Sequence, residues 1–369
     1  MSSQRHYAFQ PDYAVPPGEI LAETLEARGI SQAELASRCG LSEKHISQVI
    51  HIKASISPEM ALRLERALGV RATLWMNLES MYRLHAARIE ERSRVVDYID
   101  WARRFPIRSL AERRWIRPSN DAEEQARMLL DFFGVASPSA WESQYGKLAV
   151  AYRRSAAFRS SPDAVAAWMR IGEIKAAEID TDPFEKSKFR EALDAIRMLT
   201  SSGPSIFEPQ MKELCREAGV ALVFVPELPK THLSGATRWL APGKALIMQS
   251  LRFRSDDHFW FTFFHEAAHT LLHGKRALFV DEVGMEASAY EEEADAFAAD
   301  HLIPRVSYQS FLAQGTISRM RILDFASRLD IAPGIVVGRL QHDGVVPFSW
   351  FRDLKRTFVF ADETHEPEV

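Results

Sequence analysis

His265, Glu266 and His269 stand in the stretch Phe259-Trp260-Phe261-Thr262-Phe263-Phe264-His265-Glu266-Ala267-Ala268-His269-Thr270-Leu271-Leu272-His273, a His-Glu-x-x-His pattern inside an apolar segment. On a helix the two histidines lie one turn apart on the same face and can share one metal ion. Glu266 then points to the flank, where a water awaiting deprotonation would sit. That is the chemistry of a zinc peptidase. The bland reading is that two helical histidines close a core, so the surrounding residues have to decide.

A catalytic zinc usually keeps three protein ligands. His273 lies at the eighth position beyond His265, about 12 Å along a straight helix axis, too far to converge on the same ion. It reads instead as a histidine that supports or packs beside the ligands. The next helix, Tyr290 to Pro304, offers an inward face of Glu291, Ala294, Phe297, Ala298 and Leu302. Glu291 is therefore the expected third ligand, and Asp295, one turn on, can accept the free ring N–H of a ligand histidine. Glu292 and Glu293 are expected to face solvent. The stretch from Asp281 to His301 has eight acidic residues and no Lys or Arg, a field suited to a cation. Tyr290, His232, His258 and His301 are candidates for an oxyanion donor, and the sequence does not choose among them.

Several elements must position this pair of helices. Ser205 with Glu208 predicts a capped helix running to Gly219, followed by a β-rich run, Val220 to Val225. Leu233 to Leu240 and Ala245 to Gln249 flank a Pro242-Gly243 turn and read as an antiparallel hairpin, one strand of which is the natural edge for an extended substrate. Asp256 or Asp257 is the expected cap of the histidine helix. Beyond Pro304, Ile317 to Leu340 has a helix-turn-helix rhythm whose apolar second helix predicts packing under this core. The tail from Glu363 to Val369 is expected to be disordered.

The ligand helix, the Glu291-x-x-Ala294-Asp295-x-Phe297-Ala298 pattern and Leu302-Ile303-Pro304 together resemble the ImmA/IrrE-type metallopeptidases over about residues 205 to 345. Here Ala267-Ala268 replaces the Leu-Gly common in relatives. The resemblance implies zinc ligands His265, His269 and Glu291, Glu266 as general base, and a protein substrate such as a helix-turn-helix repressor.

The N-terminal part has a different task. Gly18 to Gly29 reads as an amphipathic helix with Ile20, Leu21, Thr24 and Leu25 on one face. Ser31 predicts the cap of a second helix, with Glu34 completing a capping box, and Ser42 caps a third, Glu43 to Ile50. Small Ala36, Gly40 at the turn and inward Ile46 and Val49 make this a helix-turn-helix. Lys44, His45, Ser47 and Gln48 on the outward face, with Lys53 beyond, are the candidate DNA contacts. Pro17-Gly18-Glu19-Ile20-Leu21, Ser31 to Ala36, Ile56 to Leu64 and Leu74-Trp75-Met76-Asn77-Leu78 resemble the HigA/VapI-type antitoxins of the XRE superfamily. That resemblance implies a homodimeric operator-binding repressor with a toxin partner. His51-Ile52-Lys53 departs from the family's Asn-Gly-Lys turn.

Between the two lie ten arginines against five acidic residues over residues 83 to 117, which read either as an extended DNA footprint or as a helix face paired to acidic neighbours. The whole chain of 369 residues carries a net charge of −4, so no global basic field announces nucleic acid. No apolar run reaches membrane-spanning length, and the N-terminus lacks an apolar signal core, so a cytoplasmic protein is expected. Cys39 and Cys215 lack the spacing of a disulfide framework or a cysteine zinc site. The expected fold is mainly α with a small antiparallel β-sheet. It comprises a helix-turn-helix domain over residues 1–88, a basic helical connector and subdomain over 89–204, and an α+β zincin-like peptidase domain over 205–369. The functional expectation is a zinc-dependent endopeptidase fused to a DNA-binding domain and regulating transcription, stress or a toxin–antitoxin pair by cutting a repressor or antitoxin. The alternative is an antitoxin-like autorepressor whose metal domain is regulatory or inactive.

Overall fold

The computed structural model describes residues 14–146, 160–273 and 285–360. The expected disorder of Glu363 to Val369 and the acidic residues Asp281 and Glu282 lie outside them. The chain divides into two compact units, residues 1–98 and 99–369.

The first unit is helical: α1 (Pro17–Arg28), α2 (Gln32–Cys39), α3 (Glu43–Ile50), α4 (Pro58–Leu68) and α5 (Ala72–Val95). Ser31, Ser42 and Ser57 each accept a backbone N–H at the start of α2, α3 and α4. Gly40 closes α2 with φ of 63° and turns the chain into α3. Leu21, Leu35, Ile46, Ile56, Leu64 and Trp75 form the buried centre. Gly18 lets α1 approach the end of α3, since a Cβ there would lie 2.3 Å from the Val49 carbonyl oxygen.

In the second unit, α6 (Ala122–Phe133), α7 (Pro162–Ala177), α8 (Lys186–Met198) and α9 (Pro204–Glu217) precede β1 (Val220–Phe224), β2 (Gly235–Ala241) and β3 (Lys244–Gln249). The cap of α9 is Gly203, with Pro204 in the first turn, rather than the expected Ser205. The sheet order is β1-β3-β2. The expected antiparallel pairing holds for β2 and β3, with Gly235 opposite Gln249. The sheet as a whole is mixed, because β1 runs parallel to β3 with Val220 opposite Ala245. Burial explains the order: Ala245 to Met248 are fully buried and suit a central strand, whereas β2 carries Thr237 and Arg238 and suits an edge.

After the sheet come α10 (Asp256–Ala268), a π-helical turn over His269–His273, α11 (Met285–Leu302), α12 (Arg305–Ala313), α13 (Arg319–Arg328) and α14 (Pro333–His342). Phe259, Trp260, Phe263, Phe264 and Ala267 of α10 enter one core with Ile335, Val336 and Leu340 of α14. The late helix pair thus packs, as its apolar second helix predicts. Ser255, not an aspartate, occupies the cap position of α10. Asp256 and Asp257 instead turn inward to Arg356 and Lys355. Among the described residues no helix is long and apolar enough to cross a membrane.

Candidate metal centre

α10 and the π-helical turn that continues it bring His265 and His269 onto one face, and α11 packs against α10 with Ala294 and Ala298 fully buried. Small side chains there bring Glu291 over the histidines. Nε2 of His265 and Nε2 of His269 are 3.0 Å apart. The Glu291 carboxylate lies 3.2 Å from the first and 3.6 Å from the second. A tetrahedral ion with bonds of about 2.0–2.1 Å holds its donors roughly 3.3–3.4 Å apart. The three separations scatter around that edge, and two imidazoles with a carboxylate are an ordinary zinc donor set. Residues and spacing therefore fit a metal ion. Among the described residues this is the one trio of His, Cys, Asp or Glu that meets such a distance test.

The protonation pattern says the same in another form. Burial alone would depress His265, but hydrogen bonds to Asp295 and Glu291 and the charges of Glu266 and Glu291 outweigh it and push its pKa up to about 10. Burial and the neighbouring His265 charge hold His269 below the usual histidine range. The bond from His265 holds Glu291 below the usual carboxylate range. A field that retains a proton between three ligand atoms also favours a cation there.

Around the trio, Asp295 Oδ1 lies 2.9 Å from His265 Nδ1. His273 Nδ1 lies 2.9 Å from His269 Nδ1, and its ring centroid is 4.5 Å from that of Tyr290. Glu293, expected to face solvent, lies 3.2 Å from His273 Nε2. Of the other oxyanion candidates, His258 stacks on Phe253, His232 gives its carbonyl to Arg252, and His301 stacks on Phe297.

Glu266 is buried against the sheet. Thr237 of β2 donates to its Oε2 at 2.8 Å, and a Cβ on Gly235 would lie 2.8 Å from its Oε1. Desolvation raises its pKa to about 7, where a carboxylate can take up and release a proton near neutrality. Nothing in the sequence pattern marked Thr237 or Gly235, because the hairpin alone brings them to the helix.

In the first unit, Lys44 and Lys53 are exposed, and His45, Ser47 and Gln48 are half-buried along α3. Ile52 takes φ of 61° at the turn where a family member would place glycine. His45 and Lys53 line a shallow concavity with Arg83, whose guanidinium is held 2.8 Å from the buried Glu79 carboxylate. Arg83 was legible only as one of the ten arginines. Others of that run are paired: Arg104 binds Asp163 at 2.6 Å, and Arg113 donates to the carbonyls of Pro226 and Glu227.

Comparison with known proteins matches residues 21–75 to the helix-turn-helix family and residues 230–334 to the IrrE N-terminal-like domain of a peptidase family. Virulence-associated protein I of Dichelobacter nodosus is 35% identical over 81 residues, 22% of this chain and 75% of that protein. The HTH-type transcriptional regulator YddM of Escherichia coli K12 is 31% identical over 71 residues, 19% of this chain and 76% of its own. Among solved structures, an addiction module antidote protein of a HigA family from Coxiella burnetii is 27% identical, covering 22% of this chain and 91% of its own, with a TM-score of 0.21. The chain belongs to the helix-turn-helix family of these relatives and carries, C-terminal to that module, an IrrE N-terminal-like domain.

Proposed function

We propose that this protein is a zinc-dependent endopeptidase joined to an operator-binding module, a cytoplasmic regulator that cuts a partner repressor or antitoxin. The observation that carries the reading is the convergence of His265, His269 and Glu291 beside a buried Glu266. The three would hold Zn²⁺, which supplies Lewis acidity toward a peptide carbonyl and acidifies water. Glu266 then takes the proton and passes it to the leaving amine. Its burial, which raises its pKa in the free site, suits a base that must take up a proton, and Thr237 holds one of its oxygens by donating to it at 2.8 Å. The strand β2, at the edge of the described sheet, runs beside Glu266 and is the strand along which an extended substrate segment would lie. In the N-terminal unit, Ser47 and Gln48 would read base edges in the major groove while Lys44, His45 and Lys53 take phosphates, as a homodimer on a two-fold operator.

Metal analysis of the purified chain, followed by incubation with the products of neighbouring genes beside a Glu266→Gln variant, tests this. Wild type should retain about one zinc and cleave one of those products, and the variant should keep the zinc and cleave nothing. Identical products from both would overturn the protease reading. The likeness to an HTH-type transcriptional regulator supports the DNA-binding half of a second reading, in which the chain is an autorepressor with a toxin partner and its metal domain does not turn over. That reading predicts operator binding with zinc retained and no Glu266-dependent cleavage.

A further inference from the structure

His265 and His269 free their Nε2 atoms toward Glu291 in different ways. An ionised carboxylate only accepts. Asp295 Oδ1, 2.9 Å from His265 Nδ1, therefore marks that nitrogen as the donor. At the matching position, Nδ1 of His269 meets a second imidazole, Nδ1 of His273, at 2.9 Å. Two ring nitrogens at that separation need one donor and one acceptor. Glu293 settles which, because its Oε2 lies 3.2 Å from His273 Nε2 and makes that atom the donor. In a neutral ring Nδ1 of His273 is then the acceptor, so Nδ1 of His269 donates and its Nε2 presents a lone pair to the centre.

The local fold favours this chain of contacts. Residues 269–273 form a π-helical turn, which sets side chains four apart more nearly above one another than an α-helix does. His273 is only 2% exposed at its side chain and packs against the Tyr290 ring, tilted 43° to it with centroids 4.5 Å apart, so its ring is held in place. Glu293 sits at the rim, 57% exposed. A merely solvated glutamate would have no reason to reach back to a buried imidazole.

The geometry points to Glu293 and His273 as a positioning couple that fixes the tautomer and orientation of His269 through a carboxylate–imidazole–imidazole chain, an inference that rests on the metal-centre reading above. Removing such outer partners typically costs 10–100-fold in metal affinity.

The test uses the full chain, with Zn²⁺ affinity read by chelator competition and the visible spectrum of the Co²⁺-loaded protein as a report on ligand geometry. His273→Phe keeps a ring against Tyr290 and removes both nitrogens. It should weaken Zn²⁺ binding about 10–100-fold and shift the Co²⁺ bands. His273→Asn restores an acceptor near the Nδ1 position and should recover affinity to within a few-fold, an effect that a purely structural role would not give. Glu293→Ala, at the exposed rim, should weaken Zn²⁺ about tenfold. The couple is overturned if His273→Phe binds Zn²⁺ as wild type does with an unchanged Co²⁺ spectrum, or if His273→Asn is no better than His273→Phe. A wild-type chain that binds neither metal overturns the metal centre and this inference together. Tight wild-type binding with indifferent variants overturns the couple alone.

Discussion

The carboxylates around His265 raise its affinity for a proton at the place where a metal ion would bind. Its pKa of about 10 is raised above the ordinary value, so in the free site it is charged at neutral pH and must lose that proton on ligation. Below pH 10, uptake of Zn²⁺ should release about one proton, and affinity should rise about tenfold per pH unit between roughly pH 7.5 and 9.5. Competition titrations across that range check it, and a flat profile would contradict the coupling. Glu266 supports a second expectation. Gly235→Ala would set a Cβ 2.8 Å from Glu266 Oε1 and 2.7 Å from Thr262 Cγ2, in a place with no room for it. It should lower cleavage about tenfold or more by displacing the proposed general base, while leaving zinc content near that of wild type. A variant with wild-type turnover would show that Glu266 needs no such support. The histidines and Glu266 were legible in the sequence because their spacing is that of one helix, and Glu291 because α11 repeats the same period. Gly235, Thr237 and Glu293 were not. The first two arrive by strand pairing, and the third looked like one more glutamate in an acidic run.

The elements show the same division between near and far. The starts of α2 and α3 followed from Ser31 and Ser42 ahead of apolar periodicity, since capping is a local exchange between a hydroxyl and an N–H three residues on, whereas Ser205 is not the cap of α9. The parallel partner of β1 did not follow, because burial on both faces of β3 is settled by α7 and α10, which no local pattern reveals. Nor did the anchor of α10. Asp256, fully buried in its first turn, receives Arg356 from 100 positions downstream. Arg356 also donates to the carbonyls of Thr200, Ser201 and Ser202. Desolvation lifts the Asp256 pKa above its usual value despite that arginine, so without its partner the aspartate would have to bear an unpaired buried charge or take up a proton, and either costs stability. Arg356→Ala should therefore cost about 3 kcal/mol, the low end for breaking a buried pair because Arg356 is partly exposed. Asp256→Asn, which removes the charge and keeps the shape, should cost clearly less. Urea unfolding of the two variants checks the order, and equal losses would contradict an electrostatic anchor.

At the scale of the molecule, charge limits how operator binding can work. Residues 1–98 hold twelve Lys and Arg against twelve Asp and Glu, so this unit has no net positive field to draw in DNA from a distance. On the proposed reading, affinity comes from placement: Lys44 at the start of α3, Lys53 after it, and Arg83, held by Glu79, at the edge of the concavity that Lys53 lines. Two or three phosphates per protomer, four to six in a dimer, give a slope of log K against log salt of about −4 to −5. Lys53→Ala should reduce that slope by about 2 in the dimer and weaken binding to all sequences alike. Gln48→Ala should leave the slope unchanged and narrow the gap between operator and unrelated DNA, because a base contact carries discrimination rather than counterion release. Binding titrations between 50 and 200 mM salt separate the two variants. A steep slope that survives Lys53→Ala would instead place the phosphate contacts on the arginines further along α5, in the stretch that the sequence alone left open.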